Sequence, residues 1–313
     1  MLFSIIVPIF NVEQYLEQCI SSLITQDISN YEIILIDDCS TDKSGIIAQE
    51  WSKKDSKISY YRKKVNSGLS DTRNYGIKVA KSDYILFIDS DDYIDKNVLG
   101  SLKSIIIKNN RPDIVYLGYY LEKQGKYEKK YNYFCDKNVL MNSRQFMKKE
   151  LQQRNLPIAA CFAVYRRQYI IDHTLLFKTG IYHEDELWSP QILYNSNLVY
   201  ISDMIFYHYV IRQGSITTSK DKTKNGIDLL DICNELIIFS NTIKDEELRK
   251  LLQNRIAMVY MKAVYIGKLY RKEFRNCIDK KFPLHYSYFI KDKSKSIIFY
   301  ISRYLYCLIN DMK

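Results

Sequence analysis

The chain has 313 residues, 47% of them hydrophobic, which is enough to bury a sizeable core in one large domain or up to two smaller ones. Its seven cysteines form no CxxC pair and no metal-ligand spacing with histidine, so reduced, buried thiols are the simplest account. The net charge of +10 favours an anionic partner (nucleic acid, acidic lipid or a phosphorylated substrate), and no run of about 18 apolar residues exists to span a bilayer.

The N-terminus enters a strand at once, with no basic region before a cleavage site, so no signal peptide is expected. Residues 4–10 read as a first strand ending at Asn11. Tyr15, Cys19, Ile20, Leu23 and Ile24 then recur at helical spacing. Residues 32–36 form a second buried strand that ends in Asp37 and Asp38, and Ser40, Thr41 and Asp42 offer caps for a helix over 44–52. A short strand at 58–61 and a helix at 66–80 follow. The fourth strand, 84–88, is β-branched or aromatic at Tyr84, Ile85, Phe87 and Ile88 and runs straight into Asp89, Asp91 and Asp92.

Side chains alternate faces along an extended chain, so Asp89 and Asp91 are expected to point the same way. Two acids there suit a hard cation such as Mg²⁺ or Mn²⁺, which takes carboxylates together with substrate phosphate oxygens. A solvated acidic turn is the alternative. Strands alternating with helices imply a parallel sheet with helices on both faces, where ligands bind outside the carboxyl ends of the strands. Both acidic groups fall at such ends. On the helix from Gly68, Leu69, Thr72, Gly76 and Val79 form one stripe, and Arg73 lies beside it. A guanidinium there needs a carboxylate or phosphate partner. Neither G-x-G-x-x-G nor G-x-x-x-x-G-K-[ST] occurs, so neither the dinucleotide fold nor the P-loop is supported.

The later part reads as a helix at 97–108, a strand at 114–120, a solvated hairpin or loop at 123–130, a helix at 143–152 and an apolar strand at 159–165. His183-Glu184-Asp185-Glu186 precedes Leu187-Trp188. Those acids either start a helix or hold a general base beside an aromatic wall formed by Trp188. A strand at 206–210 leads to Arg212, Gly214 and Ser215. Beyond about 216 the chain reads as helical, over 226–240, 246–270 and 295–310. The last stretch carries Ile297, Ile298, Tyr300, Ile301, Tyr304, Leu305 and Leu308, with Lys291, Lys293, Lys295 and Arg303 nearby. It reads either as a helix lying in a membrane surface or as one packed on the core.

Four stretches together resemble the family 2 glycosyltransferases of the GT-A fold: residues 4–11, 36–42, 66–76 and 87–92. His183-Glu-Asp-Glu-Leu-Trp188 and Arg212-Gln-Gly-Ser-Ile216 look like acceptor-side motifs of bacterial capsule and lipopolysaccharide members. Cys39 departs from the glycine that many members carry. The resemblance implies a Rossmann-like, mainly parallel sheet over 1–218, with a nucleotide-sugar half at 1–120 and an acceptor half at 121–218. A helical region, 219–313, would follow.

The activity implied is an inverting transfer from a nucleotide-sugar, a UDP-sugar foremost, to a glycan or lipid-linked oligosaccharide. Pro8, Phe10, Asn11, Asp38, Arg73, Asp89 and Ser90 would bind the nucleotide-sugar, with Asp38 reading the base edge. Arg73 would lie near the diphosphate, and Asp89 and Asp91 would touch ribose and metal. Asp89, Asp91 and Asp92 would hold Mn²⁺ or Mg²⁺. Asp185, next to Glu184, would be the catalytic base, with His183, Trp188 and Arg212 on the acceptor side. A lipid-linked acceptor places such a protein at the cytoplasmic face of the membrane, against anionic lipid.

The competing enzyme reading is a metal-dependent nucleotidyltransferase. It needs a basic glycine-rich loop after the first strand, and Pro8-Ile9-Phe10-Asn11 is not one. The competing non-enzyme reading is a basic module for membrane or nucleic acid. Acids at the strand ends oppose phosphate unless a metal is present, so no nucleic-acid partner is expected.

Overall fold

The computed structural model describes residues 1–123, 125–211 and 221–311. They form two compact units. One takes Met1–Phe146, Pro157–Gly180 and 188–211, and the other takes Met147–Leu156, Ile181–Leu187 and the described residues from 221 onward.

The chain opens with β1 (Phe3–Ile9), α1 (Leu16–Ile24), β2 (Tyr31–Asp37), α2 (Ser44–Lys54), β3 (Ile58–Arg62), α3 (Leu69–Val79) and β4 (Tyr84–Phe87). β1, β2 and β4 are almost wholly buried, as strands covered by helices on both faces must be. Next come β5 (Tyr93–Ile94), α4 (Leu99–Lys108), β6 (Ile114–Lys123), β7 (Lys126–Lys130), β8 (Val139–Asn142), α5 (Ser143–Gln152), β9 (Ala163–Arg166), α6 (Arg167–Asp172), α7 (Glu184–Asn195) and β10 (Leu198–Val210). β7 is the exposed arm of a hairpin with β6, as the charged run at 123–130 suggested.

Among the described residues the strands make one ten-stranded sheet in the order β3-β2-β1-β4-β9-β6-β10-β5, with β7 on β6 and β8 on β10. β3, β2, β1 and β4 are parallel, with Ile5 between Ile33 and Leu86. β9 then enters antiparallel to both β4 and β6. The sheet is therefore mixed, where the sequence suggested a mainly parallel one. The apolar run at 159–165 is part 3₁₀ turn (Ala160–Phe162) and part β9, and apolar composition carries no strand direction. β10 is longer than expected. Ser202 and Asp203 interrupt its apolar pattern at a bulge between Ile201 and Ile205.

One cluster of buried side chains from β1, β2, β4, α1 and α4 forms the core of this unit, including Val7, Leu16, Leu35, Leu86 and Leu102. α3 closes tightly on β1 because Gly76 has no side chain: a Cβ there would lie 2.4 Å from Ile6 Cγ2. The buried residues of α3 are Ser70, Thr72, Arg73, Gly76 and Ile77, so Arg73 belongs to the buried face itself.

In the second unit α8 (Thr223–Asn241) lies along α9 (Glu246–Ile266), followed by α10 (Phe282–Tyr286), α11 (Ile290–Ile301) and α12 (Arg303–Asp311). Asp245 caps α9, accepting from the Leu248 N–H at 3.0 Å. The single last helix expected at 295–310 is two helices, broken where Ser302 turns extended. The start of α11 is fastened to α9: Asn254 donates to the buried Asp292 at 3.0 Å and accepts from the Tyr288 N–H at 2.7 Å. No helix among the described residues is long and apolar enough to cross a membrane.

Candidate active site

β2 ends at Asp37, which is fully buried and held locally. Its carboxylate accepts from the Ser40 N–H at 2.8 Å and the Tyr60 hydroxyl at 3.0 Å, with Arg62 3.5 Å away. Asp38 is also buried, and it spans to α3. It accepts from the Ser67 N–H at 3.0 Å and the Gly68 N–H at 2.7 Å, and Lys63 Nζ lies 2.7 Å from it. Lys63 reaches Asp71 as well, at 2.6 Å. Asp38 thus fixes the turn that opens α3, a task the sequence did not reveal, and Lys63 is a partner the sequence reading missed.

Asn11, at φ 50°, ties the β1 end to the same loop by accepting from the Thr41 N–H at 2.9 Å. Pro8 is buried within β1, and Phe10 is exposed just beyond it. Cys39 sits at φ 63°, in the left-handed region where glycine is unstrained. A side chain there costs about 1–2 kcal/mol relative to glycine.

β4 stops at Phe87, and residues 89–92 close a turn in which the Asp92 N–H donates to the Asp89 carbonyl at 3.0 Å. The acids are therefore gathered by a turn, and the expected alternation along an extended strand does not apply to them. The buried Arg73 donates from Nη2 to Asp89 Oδ1 at 3.0 Å, and its guanidinium lies over the rings of Phe87 (5.8 Å) and Phe177 (5.3 Å). Two pieces read separately from the sequence are thus one pair.

Asp92 does not stand with Asp89 and Asp91 as an open ligand. It is buried, accepting from the Tyr207 hydroxyl at 2.5 Å and from the Val210 N–H at 2.8 Å. Burial, and then the charges of Asp89 and Asp91, push its carboxyl up to about 8. Tyr207 also accepts from the Asp89 N–H, at 3.2 Å. Ser90 is buried in the same turn. Sequence reasoning missed Tyr207, because the pairing of β10 with β5 and β6 is what brings it here.

Among the described residues no three His, Cys, Asp or Glu side chains converge as a ligand set. The donor chemistry still fits a hard divalent cation. Such an ion takes one or two carboxylates and completes its shell with phosphate oxygens and water. Asp89 and Asp91 are part-exposed on the turn, and their charge already holds a third carboxyl towards its neutral form.

The acceptor-side candidates fall elsewhere in the chain. Glu184, Asp185 and Glu186 occupy the first turn of α7, where acids favour the helix dipole. Glu184 is buried and Asp185 half-buried. Burial alone would raise the Glu186 carboxyl, but Arg255, 2.5 Å away, and then Lys262 and His183 hold it below the usual range. His183 has φ 63°, and burial lowers its pKa. Trp188, expected as an aromatic wall beside the general base, is a core residue. It is 2% exposed, donates from Nε1 to the Leu175 carbonyl at 2.9 Å and stacks on Phe177 at 4.3 Å. Arg212, with Gly214 and Ser215, lies outside the described residues.

Residues 4–174 match the family model for glycosyl transferase family 2. The chain belongs to that family. The family match takes in Asp38, Arg73 and the turn at 89–92 and ends before α7. A curated relative, glycosyltransferase GlyA of Streptococcus pneumoniae, is 33% identical over 226 residues, covering 68% of this chain and 31% of GlyA. The chain thus spans about a third of the length of the curated relatives it matches at this level. A crystal structure of S. aureus TarS 1–349 with UDP-GlcNAc has a TM-score of 0.74 at 21% identity, covering 100% of this chain and 93% of that one. The mannosyltransferase PcManGT from Pyrobaculum calidifontis, solved with GDP-Man and Mn²⁺, has a TM-score of 0.57 at 12% identity, covering 98% and 86%. At these identities the likeness is one of fold.

Tyr207→Phe tests how the acidic turn is held. It removes the donor to Asp92 and the acceptor for the Asp89 N–H. A loss of about 1–3 kcal/mol is expected in urea unfolding, the usual cost of stranding buried polar groups. An unchanged midpoint would mean the turn is held without Tyr207.

Proposed function

We propose that this protein is an inverting glycosyltransferase of cell-surface polysaccharide synthesis. It would move a sugar from a nucleotide-sugar, a UDP-sugar foremost, to a hydroxyl of a glycan or lipid-linked oligosaccharide. The observation that carries this reading is the pairing of the buried Arg73 with the part-exposed Asp89, beside Asp91, at the carboxyl end of β4 and inside the family match. The UDP-GlcNAc complex of TarS and the GDP-Man and Mn²⁺ complex of PcManGT support the donor class and the metal.

In this reading Pro8, Phe10, Asn11 and Asp38 lie on the base side, and Asp89 and Ser90 on the ribose side. Arg73 sets positive charge against the diphosphate as it leaves. Mn²⁺ or Mg²⁺, held by Asp91 with Asp89, would neutralise the charge on the leaving phosphates when bound. Asp92, bonded internally, supports the turn from behind. Asp185, with Glu184 adjoining, takes the proton from the acceptor hydroxyl as its oxygen attacks the anomeric carbon. The bond to the phosphate oxygen breaks in the same displacement, so the anomeric configuration inverts and no covalent sugar–protein intermediate forms. His183 and Arg212 are proposed on the acceptor side.

A screen of nucleotide sugars for metal-dependent hydrolysis reports the donor without knowledge of the acceptor. With the best donor, Asp185→Asn is expected to lower turnover by roughly 10²–10⁴-fold while donor affinity stays near wild type. A variant that melts earlier and keeps its specific activity would make Asp185 a helix-start residue only.

We further propose peripheral attachment to an anionic, cytoplasmic membrane face through α11 and α12. Ile290, Ile297, Ile301, Tyr304, Leu305 and Leu308 are exposed, while Ser296, Phe299 and Cys307 are buried. Lys291 and Lys293 flank the exposed face, each able to contribute about 1 kcal/mol near anionic lipid, while Lys295 is paired with Asp292 at 3.8 Å. Arg303 is buried and drops out of that set. Removing residues from 291 on would strip Asp292 and Phe299 from the unit's interior, so point changes are the better test. Ile301→Glu with Leu305→Glu and Leu308→Glu is expected to abolish salt-sensitive sedimentation with anionic vesicles at an unchanged melting temperature. Equal sedimentation of the two proteins would exclude this face as the anchor.

A further inference from the structure

Val259, Lys262 and Ile266 lie on one face of α9, at the spacing that stacks helical side chains. With Asn225 and Leu229 of α8, Lys222 just before it, and His183 and Glu186, they enclose a cavity of about 160 Å³. One water needs only ~10–15 Å³ on this measure, so the space holds a group of several atoms. Ligand pockets for whole drug-sized molecules run to about 300–1,000 Å³, so it does not hold a nucleotide.

The polar lining is mainly donating. Neither Lys222 nor Lys262 lies within ion-pair distance of a carboxylate among the described residues, although Lys262 is near enough to help hold the Glu186 carboxyl below its usual range. Asn225 Nδ2 lies 3.0 Å from His183 Nε2, and an amide nitrogen can only donate. The ring therefore accepts there and carries its proton on Nδ1. Glu186 is the one acid of the lining, and Arg255 Nη2 already pairs with it at 2.5 Å.

We infer that this cavity is a phosphate-binding subsite, in which Lys222, Lys262, His183 and Asn225 take a phosphate ester carried by the acceptor. Two ammonium groups suit a compact, multiply charged anion. His183 precedes the proposed base Asp185 by two residues, so a phosphate held here would register the acceptor chain. The acceptor role rests on the proposed glycosyl transfer, while the binding of phosphate stands apart from it.

The test is isothermal titration of the full chain with inorganic phosphate and with sn-glycerol 3-phosphate, without nucleotide or divalent metal. Saturable binding is expected. Lys222→Ala with Lys262→Ala should weaken it by roughly tenfold or more, and Lys222→Arg with Lys262→Arg should restore it. Melting temperature and nucleotide-sugar hydrolysis should not change. Phosphatidylglycerol vesicles form a second arm, run with and without the Lys pair changed in the Ile301→Glu, Leu305→Glu, Leu308→Glu background, where the α11–α12 face no longer binds them. If the alanine pair leaves vesicle binding in that background unchanged, the subsite reads a soluble acceptor's phosphate; if it removes vesicle binding that the background retains, the phosphate is a lipid headgroup. No phosphate binding by the wild type, or equal binding by the folded alanine pair, overturns the subsite. Phosphate binding without any nucleotide-sugar hydrolysis would defeat the transferase reading and leave the subsite standing.

Discussion

Three carboxylates within four residues repel one another, and the first unit is arranged around that repulsion. Asp92 is drawn inside, where Tyr207 and the Val210 N–H bond it and its proton is retained to higher pH. Asp89 leans on Arg73. Asp91 stays part-exposed on the turn. The fold thus relieves part of the repulsion internally and leaves a negative field at the strand end, which suits a cation arriving with its own anionic ligand.

The surrounding architecture serves this arrangement. Arg73 reaches Asp89 because α3 sits close on β1, and that closeness depends on Gly76. The entry of α3 is in turn set by Asp38, at the end of β2, through the Ser67 and Gly68 N–H groups. The two acidic strand ends are therefore linked by one helix: the first fixes its start, and the second receives its guanidinium. On the other side β10 must lie in the sheet with β5 for Tyr207 to back the turn. A change in strand order would dissolve the site even with every acid retained.

Much of this was legible in the sequence, for physical reasons. β1, β2 and β4 are dense in β-branched and aromatic residues, and strands buried on both faces need that composition. An arginine beside an apolar stripe needs an anion, so the demand for a partner could be read before Asp89 was seen to meet it. What failed was anything set by tertiary contact. The turn at 89–92 was read as extended because alternation was assumed past the end of the strand. Trp188 was read as an aromatic wall beside the base, but its indole N–H finds the Leu175 carbonyl inside the core. Tyr207 lies 115 residues from the acid it holds, beyond the reach of any local pattern. β9 joins the sheet antiparallel, and nothing in an apolar run states its direction.

The central claim is that Asp91 and Asp89 leave a field completed by a metal-bound diphosphate. Titration of UDP into the wild type and into Asp91→Ala, each with Mn²⁺ and with chelator, tests it directly. The account predicts that Mn²⁺ tightens UDP binding to the wild type by roughly tenfold or more, and that Asp91→Ala loses this gain while melting as a folded protein. Equal UDP affinity in chelator and in Mn²⁺, or full metal dependence in the folded variant, would contradict it.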